Sequence, residues 1–207
     1  MNIIRVTPHP VEEDELPLGA SKMWGSPDLP HSFDFPTYED EEGDDVHYVF
    51  MCQINCAELA RSDKEGSLPH KGMLYIFAKL DYMLGNFLAE PMPSGFWNKG
   101  DVKVLFWPHD DTDALEEVVL LDDDDEEVAM PPCRIGFSPE EESPLSPATG
   151  YKISGLPAGP ADGLDMDKYR LLFQFDRREE GNLLYFLIPK EDLGHTFKNV
   201  TAYLASI

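Results

Sequence analysis

Two lysines and two glutamines stand in echoing places along this chain. Lys22 opens "KMWGSP" (Lys22–Pro27) and Lys152 opens "KISGLP" (Lys152–Pro157), while Gln53 sits inside "FMCQIN" and Gln174 inside "LLFQFD". A glutamine flanked by apolar residues in a strand points to one face with its neighbours on the other. Two readings stay open. In one, each amide satisfies the backbone of a bend in its own half, because a buried amide left unpaired costs a few kcal/mol. In the other, Lys22, Gln53, Lys152 and Gln174 converge on a pseudo-symmetric cleft and bind a ligand.

The other chemistry-bearing stretch is "LLDDDDEEV", Leu120 to Val128, with six consecutive carboxylates. Calcium loops spread oxygen ligands around a turn with a glycine at the bend. This run has the oxygens without the glycine or the spacing, so a solvated loop is expected, with Leu120, Leu121, Val128 and Met130 anchoring its ends. "DGLDMDKY" (Asp162–Tyr169) has its glycine before the acids and no closing glutamate. Cys52, Cys56 and Cys133 form no Cys-x-x-Cys pair and the histidines are scattered, so no metal site is expected. Nucleophile elbows, Walker loops and dinucleotide fingerprints are absent, and prolines in "GLPAGPADG" remove the amides a phosphate cradle uses. No catalytic residue and no cofactor is assigned. Trp24, Trp97 and Trp107 are read as core or loop anchors.

The elements that must position these residues are mostly strands. "HYVFMCQI", "GMLYIFAKL", "VKVLFW", "YRLLFQFD" and "NLLYFLI" are short, aromatic or β-branched, and bounded by Gly, Pro or charge. Helices are few: "NCAELAR" capped by Asn55, "TDALEEVV" from Thr112 or Asp113, and a turn or two in "PKEDLGHTF". "GMLYIF" is echoed by "GNLLYFLI", the third match in the same order after the two above. The expectation is an α+β fold, mostly antiparallel sheet, internally duplicated in halves at about 21–80 and 151–205. An acidic, proline-rich connection covers about 81–150, and the whole forms a single domain.

Net charge is −24, and four segments (12–15, 39–45, 110–127 and 140–142) hold 24 of the 40 acids without a lysine or arginine. The remaining 16 acids match the 16 bases, so the imbalance lies in loops on a neutral body. Such a surface disfavours nucleic acid and anionic membranes and favours a basic protein partner. No apolar run is long enough to span a membrane, and "MNIIRVTPHPVEEDELP" lacks a signal peptide's apolar segment. A cytoplasmic protein with free thiols is expected.

"SKMWGSPDLP", "VFMCQINCAEL", "LPHKGMLYIFA", "YKISGLP", "LLFQFD" and "LLYFLIPKEDL…FKNVTAYL" resemble, in order and spacing, the YwqG-like family of bacterial proteins, over roughly Ser21 to Leu204. One departure is Phe35-Pro36, where the family usually has Trp-Pro. The resemblance implies an α+β fold with internal duplication and no activity, since the family is known as a domain of unknown function. The function expected is non-enzymatic binding of a protein partner, basic in character and immunity-like. The alternative is an enzyme or small-molecule binder using a cleft between the two halves.

Overall fold

The computed structural model describes residues 1–12, 15–66, 68–85, 91–122 and 124–207. In chain order its strands are β1 (Asn2–Pro10), β2 (Lys22–Met23), β3 (Asp28–Pro30), β4 (Thr37–Glu39), β5 (Asp45–His47) and β6 (Val49–Asn55). Helix α1 (Cys56–Ala60) follows, then β7 (Met73–Ala78), β8 (Gly95–Phe96), β9 (Val102–Trp107), β10 (Leu115–Glu117) and β11 (Cys133–Glu141). The chain ends with β12 (Lys152–Ile153), β13 (Tyr169–Arg177), β14 (Asn182–Pro189) and β15 (Thr201–Ser206). Eleven of these form one curled antiparallel sheet in the order β8-β15-β14-β13-β12-β1-β11-β2-β6-β7-β9. Among the described residues no helix is long and apolar enough to cross a membrane.

The expected α+β class with internal duplication is overturned: the protein is nearly all-β, 42% strand against 8% helix. Asn55 does cap a helix, its Oδ1 accepting from the Ala57 and Glu58 amides, but α1 lasts five residues. "TDALEEVV" becomes a single 3₁₀ turn (Thr112–Ala114) and then β10, because Leu115 is buried opposite Pro30 of β3. Packing of that one leucine overrides the helical propensity of its neighbours. "PKEDLGHTF" gives a single turn, as expected, in 3₁₀ form at Lys190–Asp192. The echoing segments share local register but lie in one continuous sheet, joined by the β1–β11 ribbon, and do not make two units.

Strand runs read as unbroken hydrophobic stretches because both faces are covered. On β7, Leu74, Ile76 and Ala78 face the main core, while Met73, Tyr75 and Phe77 face a second cluster with Leu29, Tyr48, Phe50 and Leu115. On β14, Leu184, Phe186 and Ile188 join the main core, while Leu183, Tyr185 and Leu187 pack under Leu164 and Met166. A bulge in β6 between Phe50 and Cys52, and one in β13 between Leu171 and Phe173, each come just before the glutamine.

Candidate functional site

The four residues singled out by sequence are placed as two buried pairs. Lys22 is opposite Gln53, which is opposite Tyr75; Lys152 is opposite Gln174, which is opposite Tyr185. Strands β12 and β2 are three strand spacings apart, on the order of 14 Å along the sheet, so the pairs do not share a cleft. Each builds an ionic node of its own.

In the first node Lys22 Nζ lies 3.2 Å from Asp28 Oδ1 and 3.8 Å from Glu117 Oε1. Asp28 Oδ2 accepts from the Gly19 amide (2.8 Å) and from Gln53 Nε2 (2.6 Å). The Asp28 amide donates to Gln53 Oε1 at 2.8 Å, and the Tyr75 hydroxyl donates to the Asp28 carbonyl at 2.7 Å. In the second node Lys152 Nζ is 2.6 Å from Glu142 Oε2, and both side chains are wholly buried. Glu142 also accepts from the Leu156 and Ala148 amides, and Gln174 bridges the Ala158 amide and the Gly150 carbonyl. Gly155 has φ +85°, and a Cβ there would come 2.2 Å from Glu142 Oε1. Burial draws the Lys152 pKa down, with the Glu142 hydrogen bond working against that shift. Sequence alone missed both carboxylates. Asp28 follows Lys22 closely in "KMWGSPD", a signal that was available; Glu142 is hidden among Glu140 and Glu141, where nothing marks the one that goes inside.

Both lysines are buried, and an open concavity lies beside the first node. Residues 115–130 form a strap tied at both ends. β10 pairs with β3, the Val118 amide donates to Pro27 O (2.9 Å), and the Gly25 amide donates to Met130 O (2.9 Å). Its tip is the acidic run, closed by the Leu121–Glu127 bridge, with Asp122 Oδ1 accepting from the Asp124 and Glu126 amides. The described acids of the tip are exposed, as expected, and Asp123 lies outside the described residues. The expected anchors are not buried: Leu121, Val128 and Met130 face solvent, as does Val119. The Val128 amide donating to the Leu120 carbonyl, the Asp122 amide donating to the Glu126 carbonyl and the two backbone ties hold the strap instead.

Under the strap is a cavity of about 460 Å³. Trp24, Phe35, Tyr48 and Phe50 supply aromatic wall; Asp81, Asp122, Glu126 and Glu127 supply carboxylate. No lysine or arginine is among its described lining residues. Desolvation pushes the half-buried Asp81 carboxyl above its ordinary value. Ser26 Oγ donates to Glu127 Oε1 at 2.6 Å, which fixes that carboxylate toward the wall. Trp24 has φ +60°, a left-handed backbone that bulky residues rarely adopt. It also borders a neighbouring cavity of about 540 Å³ with Tyr151, Phe175 and Arg177, so it stands between the two.

Among the described residues no group of three or more His, Cys, Asp or Glu side chains is arranged to hold a metal ion. Cys52 and Cys56 are buried, and burial pushes the Cys56 thiol up to about 12 and Cys52 higher still. Both remain thiols at neutral pH, without thiolate to act as nucleophile.

No curated protein matches the chain. The sequence profile of a domain of unknown function (DUF1963) matches residues 21–205, a span containing both nodes, the strap and the cavity, and the chain belongs to that family.

Proposed function

We propose that this chain is a non-enzymatic, YwqG-like cytoplasmic binding protein that grips a basic segment of a partner protein beneath the strap. The observation carrying this reading is the cavity beside Trp24: aromatic wall, four carboxylates and no lining lysine or arginine among the described residues. Complementary charge accelerates encounter and selects partners. Exposed Val119, Leu121, Val128 and Met130 add apolar area next to the acids, the mixture of apolar centre and charged rim that interfaces use.

The test compares the parent with a triple variant, Asp122→Asn, Glu126→Gln and Glu127→Gln, as bait in native lysate at low and high salt. Basic proteins are expected on the parent at low salt and absent from the variant, whose melting temperature stays near the parent's. Retention of the same proteins by both baits would overturn the reading. A second reading, a small-molecule binder, draws on the 540 Å³ cavity, where Trp24 meets Tyr151 and Phe175.

A further inference from the structure

We propose that the cavity under the strap is an arginine pocket, selecting a guanidinium over an ammonium. This rests on the basic-partner reading and names the side chain that reading leaves open.

The volume, about 460 Å³, belongs to the range of ligand pockets. It takes a long side chain with its flanking backbone and is far larger than a bare ion. Surface acid alone attracts lysine and arginine alike, so the walls decide between them. Trp24, Tyr48 and Phe50 are nine-tenths or more buried and turn part of their surface to the cavity. Tyr48 is held in place by its hydroxyl, which donates to the Gly100 carbonyl, and by a tilted contact with Tyr38 at 4.9 Å. Phe50 is fixed against Phe77 at 5.5 Å. Rigid aromatic faces attract a weakly hydrated, planar cation. A guanidinium stacks on them and directs its N–H fork at carboxylates, whereas an ammonium is a strongly hydrated point charge.

The carboxylates come from separate segments of the chain. Glu127 belongs to the strap and is oriented by Ser26, while Asp81 belongs to the stretch after β7. Burial holds the Asp81 pKa up, and a guanidinium beside that carboxylate would offset the cost of its charge. Ser154 shows that the left-handed turn at Trp24 is a property of the local backbone, since it has φ +65° two residues after Lys152. The two positions differ in the side chain displayed: an indole facing two cavities in one case, a hydroxymethyl beside a dimple of about 10 Å³ in the other.

The test is an immobilised peptide library with randomised flanks and a fixed central arginine, lysine or citrulline. It is probed with the parent protein and with the Asp81→Asn, Glu127→Gln double variant, whose folding is checked by near-ultraviolet circular dichroism. About tenfold greater retention on arginine than on lysine peptides is expected, with citrulline at background and the preference erased in the double variant. Equal retention on arginine and lysine, above citrulline, overturns the arginine pocket and leaves the basic-partner reading standing. Retention on neither overturns both. An arginine preference that survives in the double variant places recognition elsewhere and also overturns the proposal.

Discussion

The Lys22 and Lys152 nodes use the same ladder of lysine, glutamine and tyrosine on three adjacent strands, yet they are finished differently. Glu142 precedes Lys152 in the chain and closes over it, binding two loop amides as well as the ammonium. Asp28 follows Lys22, and its strand continues into pairing with β10, the root of the strap. The Lys22 node therefore includes the partly exposed Glu117 and supports an open cavity, while the Lys152 node is sealed. One register can serve as a staple or as a footing for a site, depending on which side of the lysine the chain places the acid.

The largest expected effect tests that asymmetry. Lys152→Met leaves Glu142 charged and buried, and should cost about 3–5 kcal/mol. Lys22→Met should cost less, about 2 kcal/mol, because its contact with Asp28 is longer (3.2 Å against 2.6 Å) and its second carboxylate, Glu117, reaches water. Urea unfolding of both variants measures the order, and a reversed order would break the comparison.

A smaller effect sharpens it. The Tyr75 hydroxyl has its bond to Asp28, whereas the Tyr185 hydroxyl lies buried against the Gly159 backbone without a well-formed bond. Tyr75→Phe should cost about 1 kcal/mol, and Tyr185→Phe should stay within about 0.5 kcal/mol of the parent. Equal losses in denaturant titrations would show the two hydroxyls to be equivalent.

The smallest effect belongs to the open side. The folded-state pKa of Asp81 is raised, so its ionisation opposes folding most fully above that pKa, and the penalty disappears as pH falls below the unfolded value near 3.8. Asp81→Asn should raise the melting temperature modestly at pH 7 and leave it unchanged in strong acid. A gain that grows on acidification would have the wrong sign.

Much of the sheet was legible because β7, β9, β13 and β14 are short aromatic or branched runs punctuated by Gly and Pro. The central ribbon was not. β1 contains Pro8 and Pro10 and β11 contains Pro139, which argue against interior strands. They are tolerated because β12 pairs with β1 only at Ile4 and Arg5, and β2 with β11 only at Cys133 and Arg134, away from those prolines. For the site, Lys22, Gln53, Lys152 and Gln174 were visible as polar interruptions of apolar strands. The cavity was not, because it depends on the strap folding back over Trp24, a meeting of segments about a hundred residues apart. Trp24 is more than an anchor, since it lines both cavities.

The placement of β1 has a consequence for synthesis. Strand β1 occupies the middle of the sheet, and Asn2 must wait through synthesis for Glu141 before its partner exists. Until then β6, β7 and β9 can pair with one another as local neighbours, but the ribbon that joins them to β12–β15 is missing. Closure over so long a loop is the kind of non-local pairing that slows β-rich chains and leaves strand edges open to mispairing. A chain carrying −24 charges has an answer built in: nascent copies repel one another while they wait.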